Sequence, residues 1–234
     1  KGNNILPENG VVIKTIVTSK MGEKIARSYG VEVIDTLTGF KFIGEKMREF
    51  EETKSNTYLF GYEESYGYLA GDFVRDKDGV SSSMLICEMA AYYKSRGMSL
   101  YEGLVKLWNK YGYFHEELKS VEVEGKEGME RITLLIDELR NDPPREFAGI
   151  KVAVIEDYKE SKSHNLIDDN VSSIELPVSD VLRYILEDDS WFAIRPSGTE
   201  PKVKLYFSTI GQSLEDSKSK MEKLMKAVGQ RIQS

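Results

Sequence analysis

The sequence predicts two consecutive domains: an α/β domain with a mixed, partly parallel sheet, and then a small α+β domain with an antiparallel sheet. Strand-like apolar segments first alternate with amphipathic helices. The pattern changes between residues 113 and 125, after which a helix, several strand-like segments and a last helix follow. The length of 234 residues suits two domains of ordinary size, which we place at residues 1–117 and 118–234.

Each element of the first domain has its own signal. Residues 11–17 are β-branched and apolar, which is typical of a buried strand, and residues 31–34 and 57–60 predict two more strands. A helix is expected from Met21, with apolar residues at every fourth position and Gly30 after its end.

The Asp-Lys-Asp-Gly segment before residue 80 is interpreted as a turn and helix start. That helix has an apolar face composed of Ile86, Met89, Ala90 and Tyr93. The next helix follows the capping box Ser99-x-x-Glu102.

The second domain begins with a helix and continues mainly as strands. The helix carries an apolar stripe from Met129 to Leu139 and ends before two consecutive prolines. Strands are expected at residues 150–155, 181–186, 190–194 and 203–209, and an amphipathic helix closes the chain.

Composition limits the function classes. Asp and Glu outnumber Lys and Arg by 39 to 32, and the net charge of −7 argues against a general nucleic-acid binder, which needs a basic surface. The single cysteine fits a reducing compartment, and no apolar run approaches the roughly 20 residues of a membrane span. With two histidines, we expect no histidine-rich metal site. Because the first residue is Lys1, we expect a processed product or an excised piece.

One loop between two expected strands has the composition of an anion-binding site. It is residues 195–201, with the sequence Arg-Pro-Ser-Gly-Thr-Glu-Pro. Arg195 can bind phosphate oxygens in pairs, Ser197 and Thr199 can donate O–H groups, and Gly198 lets backbone N–H groups approach closely. Lys204 follows the turn and can add a point charge. The alternative is a hairpin turn with Arg195 in a surface ion pair.

A second loop, residues 61–68, has the composition of a sugar-binding site. Its sequence is Gly-Tyr-Glu-Glu-Ser-Tyr-Gly-Tyr, directly after an expected strand. Carboxylates accept hydrogen bonds from sugar hydroxyls and a serine hydroxyl can donate one, so Glu63 and Ser65 are candidates. The alternative is a polar loop with packed tyrosines.

Two lysines are further candidates. Lys41 lies among apolar residues in the segment 36–43, which we interpret as a loop, and Lys20 follows the first strand. Either side chain can extend to solvent or point at the anion of a ligand.

Taken in this order, the loops resemble the α-D-phosphohexomutase family, which includes phosphoglucomutases and phosphomannomutases. Residues 195–202 are similar to the phosphate-binding loop of the family's fourth domain, and residues 61–67 to the sugar-binding loop of its third. Residues 38–43 and 14–19 match two further family segments. The resemblance covers essentially the whole chain, and the Gly-Tyr-Glu-Glu form is closest to glucose-type enzymes and their phosphopentomutase relatives.

The resemblance implies a cytoplasmic, magnesium-dependent isomerase that transfers phosphate within a sugar phosphate, through a phosphoserine and a sugar bisphosphate. It assigns Glu63, Ser65, Lys41 and Lys20 to the sugar, and Arg195, Ser197, Gly198, Thr199 and Lys204 to phosphate.

The family's phosphoserine and magnesium loops lie in its first two domains, and neither motif occurs in this chain. We therefore expect domains three and four only, including the case that the third lacks its first elements, with no catalytic or metal residue in this chain and no activity of the chain alone. The expected partners are the missing domains and a phosphosugar, and neither nucleic acid nor a membrane. The alternatives are a phosphomannomutase, a phosphopentomutase, a stand-alone phosphosugar-binding module or a structural protein.

Overall fold

The computed structural model describes residues 6–122, 125–196 and 202–233. The chain divides into two compact units, Lys1–Gly112 and Tyr113–Ser234. The predicted boundary after residue 117 falls within a strand that begins at Tyr113 and pairs with a strand of the second unit.

The described part of the first unit begins with alternating strands and helices and ends with a strand pair and a helix pair. In chain order they are β1 (Gly10–Thr15), α1 (Met21–Ser28), β2 (Glu32–Thr36), α2 (Phe40–Thr53), β3 (Thr57–Glu63), β4 (Gly67–Ala70), α3 (Gly79–Lys94) and α4 (Leu100–Tyr111). The predicted strands and helices are all present, and α2 and β4 are additional.

The strands form a sheet in the order β2-β1-β3-β4. β1 runs parallel to both β2 and β3, whereas β4 is antiparallel to β3, so the predicted mixed sheet is confirmed. Because β1, β2 and β3 are parallel, the segments that follow them all leave the same edge of the sheet.

Helix α2 covers one face of this sheet and corrects the expected loop at residues 36–43. It begins at Phe40, and its apolar residues recur at helical spacing. The buried cluster that joins α2 to the sheet contains Val11, Ile13, Phe40, Ile43, Met47, Phe50 and Leu69. Gly39 precedes the helix with a φ of 119°, a conformation that glycine adopts without a steric penalty.

Helix α3 lies on the opposite face, beside Phe60 and Tyr68. Asp78 caps its first turn by accepting hydrogen bonds from two backbone N–H groups, which confirms the predicted helix start. The predicted apolar face is present but largely uncovered, because Ile86 is 48% exposed and Met89 is 46% exposed. Tyr93, in contrast, packs against Gly103 of α4.

The second unit contains a large antiparallel sheet and two long helices. In chain order its described elements are β5 (Tyr113–Glu122), α5 (Gly125–Asn141), β6 (Glu146–Phe147), β7 (Ile150–Asp157), β8 (Lys162–Asn165), β9 (Asn170–Ser173), β10 (Leu182–Leu186), β11 (Trp191–Pro196), β12 (Lys202–Gly211) and α6 (Leu214–Gln233). The sheet order is β5-β12-β11-β10-β7-β8-β9, with β6 beside β7, which confirms the predicted antiparallel α+β unit.

The core of the second unit lies between this sheet and the helices α5 and α6. Ile136, Phe192, Phe207 and Leu224 belong to one buried cluster, and the rings of Tyr184 and Phe192 stack 4.9 Å apart. Each fully buried apolar side chain of this size contributes about 1.5–3 kcal/mol. The core thereby fixes β11 and β12, the two strands that flank residues 197–201.

Candidate functional site

The predicted sugar-binding residues lie on segments that leave one edge of the first sheet. Lys20 lies on the segment after β1, Lys41 on the segment after β2, and Glu63 and Ser65 at the end of β3. Ligands of open α/β sheets commonly bind at the carboxyl ends of the parallel strands. The structure therefore brings all four residues to an edge where a ligand can be bound.

Glu63 is the most buried of these residues. As the last residue of β3 it is 6% exposed, and its Oε1 atom lies 3.5 Å from Nζ of Lys77. Gly67 pairs with Glu63 on the adjacent strand. A Cβ atom at Gly67 would lie 2.6 Å from Cγ of Glu63, so the absence of a side chain there leaves room for this carboxylate.

Glu64 points to a different set of partners, which the sequence analysis did not identify. Its Oε2 atom lies 2.9 Å from the hydroxyl of Thr15 and 3.0 Å from the hydroxyl of Thr18. Both threonines belong to the segment at the end of β1 and are buried. The carboxylate of Glu63 therefore contacts Lys77, whereas the carboxylate of the adjacent Glu64 contacts the end of β1.

The turn between β3 and β4 presents Ser65 and Tyr66 to solvent. Both residues are exposed, and Tyr66 has a φ of 59°. A left-handed residue in the third loop position is typical of a three-residue hairpin connection, although glycine is usual there. The exposed hydroxyl of Ser65 is accessible for hydrogen bonding.

The two lysines are accessible at helix starts. Lys41 is an exposed residue in the first turn of α2, and its Nζ atom lies 4.7 Å from the centre of the Phe42 ring. Lys20 is the N-cap residue of α1 and is partly exposed. Both therefore occur where a helix presents backbone N–H groups, which also favour anions.

In the second unit, Arg195 and Lys204 are directly opposite each other on β11 and β12. Both side chains are half-buried. Among the residues that the structure describes, no carboxylate forms an ion pair with either of them. The neighbouring Lys202, by contrast, lies 3.3 Å from Glu122. Ser197, Gly198 and Thr199, predicted to bind phosphate, lie outside the described residues.

The pairing of Arg195 with Lys204 is electrostatically unfavourable without an anion. Directly opposite residues of an antiparallel pair have Cβ atoms about 4.5–5.5 Å apart, and like charges there are destabilising. A phosphate between the two cations would convert this repulsion into two attractive interactions.

The first unit also contains an apolar groove of about 690 Å³. It lies between α3 and the adjacent sheet face, and its lining includes Phe60, Tyr68, Leu85, Ile86 and Met89. Among the described residues, no lysine or arginine lines this groove, so its chemistry does not suit a sugar phosphate.

The described chain offers no evident metal site and no membrane span. Within residues 6–122, 125–196 and 202–233, no group of three or more His, Cys, Asp or Glu side chains is arranged to hold a metal ion. No helix in these same ranges is long and apolar enough to cross a membrane.

Comparison with known proteins identifies the family. The family model described as "Phosphoglucomutase/phosphomannomutase, alpha/beta/alpha domain III" matches residues 1–111. The model described as "Phosphoglucomutase/phosphomannomutase, C-terminal domain" matches residues 135–217. The chain therefore belongs to the phosphoglucomutase/phosphomannomutase family and contains its third and C-terminal domains, which confirms the resemblance.

Curated relatives include proteins named phosphoglucomutase. One from Staphylococcus haemolyticus is 41% identical over 203 residues, covering 87% of this chain and 36% of the relative. One from Staphylococcus aureus strain USA300 is 38% identical over 215 residues, covering 92% of this chain and 38% of the relative. The chain thus spans little more than a third of these relatives.

Solved structures show the same fold at low sequence identity. The Paramecium phosphoprotein pp63/parafusin, in an open form, has a TM-score of 0.65 at 18% identity, covering 94% of this chain and 38% of that one. A phosphoglucomutase/phosphomannomutase family protein from Burkholderia thailandensis has a TM-score of 0.53 at 19% identity, covering 94% of this chain and 37% of that one.

Proposed function

We propose that this chain is the substrate-binding half of a phosphosugar mutase that interconverts glucose 1-phosphate and glucose 6-phosphate. The relatives named phosphoglucomutase support this proposal, at 41% and 38% identity. Two chemically different surfaces also support it. The first unit offers carboxylate and hydroxyl groups that suit a sugar, and the second offers cations that suit a phosphate.

The observation that carries the proposal is the opposition of Arg195 and Lys204 across β11 and β12. Two half-buried cations in register destabilise a sheet unless an anion lies between them. The two residues also lie on the strands before and after the segment 197–201, whose two hydroxyl residues and glycine suit a tetrahedral anion. A phosphate is an anion that suits both features.

Each unit has a role in this proposal. Glu63 accepts hydrogen bonds from sugar hydroxyls and Ser65 donates one, with Lys20 and Lys41 as nearby cations. In the second unit, Arg195, Ser197, Gly198, Thr199 and Lys204 bind the phosphate that does not react.

In the proposed reaction, a phosphoserine in the domains outside this chain transfers its phosphate to the sugar phosphate. The resulting sugar bisphosphate reorients, and its other phosphate returns to the serine. Contacts to the sugar and to the remote phosphate orient the substrate in both poses, so that binding energy lowers the barrier to transfer. The magnesium that the family implies would be bound by the domains outside this chain, and the cytoplasm is the proposed location.

A substrate comparison with the full-length protein tests this proposal. We expect it to convert glucose 1-phosphate with a higher kcat/KM than mannose 1-phosphate or ribose 1-phosphate. A preference for either of the other substrates would instead identify a phosphomannomutase or a phosphopentomutase of the same family.

The same assay on the 234-residue chain tests the assignment of the chemistry to the missing half. We expect no conversion by the chain alone, because the phosphoserine donor is absent. Conversion by the chain alone would contradict the proposal. Binding of sugar phosphates by a full-length protein that converts none of them would indicate a non-catalytic binding module.

A further inference from the structure

We infer that Glu64 is a positioning residue that fixes the Ser65 turn against the end of β1. This inference deepens the proposed function, on which the sugar-binding role of Ser65 rests. It starts from the three close oxygen contacts that join Glu64, Thr15 and Thr18.

The hydrogen count shows that Glu64 is held firmly. The hydroxyls of Thr15 and Thr18 are 2.7 Å apart, and each lies 2.9–3.0 Å from the same oxygen of Glu64. Each threonine hydroxyl carries one hydrogen, and an ionised carboxylate carries none, so only two hydrogens are available for the three contacts. The two hydroxyls can share only one hydrogen bond, so at least one of them donates to Glu64 in every arrangement.

The partners of Glu64 are themselves rigid. Thr15 is fully buried and Thr18 is 4% exposed. The backbone N–H of Thr18 donates to the carbonyl of Thr15, and the N–H of Val17 donates to the hydroxyl of Thr15. That hydroxyl accepts from the backbone through a lone pair, and its own hydrogen can still be donated. The carboxylate of Glu64 is therefore anchored to a segment that the sheet already fixes.

The turn needs such an anchor. Ser65 and Tyr66 are exposed, and Tyr66 has a left-handed conformation that is unfavourable for a bulky residue. A conformation of this kind persists only where the surrounding contacts fix it. On one side the turn continues into Gly67, which packs against Glu63, and on the other side Glu64 ties it to β1. The backbone of Ser65, which lies between these contacts, is thereby held in one place, and this presents its hydroxyl to a sugar.

Two substitutions separate the anchoring oxygen from the negative charge. Glu64→Ala removes the acceptor, whereas Glu64→Gln keeps an amide oxygen that can accept from both threonines. We expect Glu64→Ala in the full-length enzyme to raise KM about three- to tenfold, the range for one ordinary hydrogen bond, with little change in kcat. We expect Glu64→Gln to stay within about twofold of the wild-type KM. Glu222→Ala, which removes an exposed glutamate of α6, is the matched control and should leave both constants unchanged.

Amide deuterium exchange of residues 61–68 in the same proteins, without substrate, provides a readout that does not depend on activity. Glu64→Ala should speed exchange in this segment, and Glu64→Gln should not. An unchanged exchange rate in Glu64→Ala, or equal KM defects in both Glu64 variants, would overturn the inference. Absence of mutase activity in the wild-type protein would instead contradict the proposed function. The exchange data would still decide whether Glu64 anchors the turn.

Discussion

Replacing Lys204 with methionine is expected to stabilise the second unit and to weaken phosphate binding at the same time. Lys204 lies directly opposite Arg195, and both side chains are half-buried. Methionine retains most of the length of lysine and removes its charge. The substitution therefore removes the repulsion between the two cations while largely preserving the packing.

The size of each effect follows from the position of the pair. Directly opposite side chains in an antiparallel sheet change stability by about 0.2–1 kcal/mol, so we expect the melting temperature to rise by about 1–5 °C. A charge-assisted hydrogen bond contributes about 1.5–3 kcal/mol, so the affinity for glucose 1-phosphate should fall about 10- to 150-fold. Added salt should reduce the stability difference, because it screens charges at the surface.

Thermal unfolding of the full-length protein, with and without glucose 1-phosphate, measures both quantities. Lys202→Met is the matched control on the same strand, because Lys202 lies 3.3 Å from Glu122 and its loss removes an attraction instead. The control should not raise the melting temperature. A Lys204→Met protein that is less stable than the wild type and is stabilised equally by glucose 1-phosphate would refute the reasoning.

Three further predictions test other contacts. Gly67→Ala should lower kcat/KM by about tenfold or more, because the new Cβ would lie 2.6 Å from Cγ of Glu63 and displace its carboxylate. Unchanged steady-state kinetics would remove Glu63 from the sugar site. Asp78→Asn should cost stability in full above about pH 4, and this cost should disappear as the pH falls through the lowered pKa of Asp78. The reason is that hydrogen bonds at the start of α3 hold the pKa of Asp78 below its ordinary value. Melting curves across pH that show a constant difference from the wild type would contradict this. Tyr184→Phe should lower the free energy of unfolding by about 1–3 kcal/mol, because the carbonyl of Leu139 loses a buried donor at 2.7 Å. Urea denaturation measures this free energy, and an unchanged value would contradict the prediction.

Most of the fold was predictable from local sequence patterns. The strands β1, β7 and β12 are apolar or alternating segments, and their periodicity alone identifies them. Helix α2 was not predicted, because residues 36–43 were interpreted as a loop, although Phe40, Ile43, Met47 and Phe50 recur at helical spacing. The apolar face of α3 was also predictable, but a pattern on one helix does not show what covers it.

The candidate site was predictable only in part. The parallel arrangement of β1, β2 and β3 brings Lys20, Lys41 and Glu63 to one edge. The contact of Glu64 with Thr15 was not predictable, because it joins residues 49 positions apart and depends on which strands are neighbours. The binding roles of all the candidate residues of both units remain predictions.

Calorimetric titration of the full-length protein with glucose 1-phosphate tests the central claim most directly, namely that the second unit binds the phosphate of a sugar phosphate through Arg195. The wild-type protein and Arg145→Ala, which removes an exposed arginine of the same unit, should bind with equal affinity. Arg195→Ala should bind about tenfold more weakly or worse, because it loses a charge-assisted contact to the phosphate. Equal affinity of Arg195→Ala and the wild type would contradict the account.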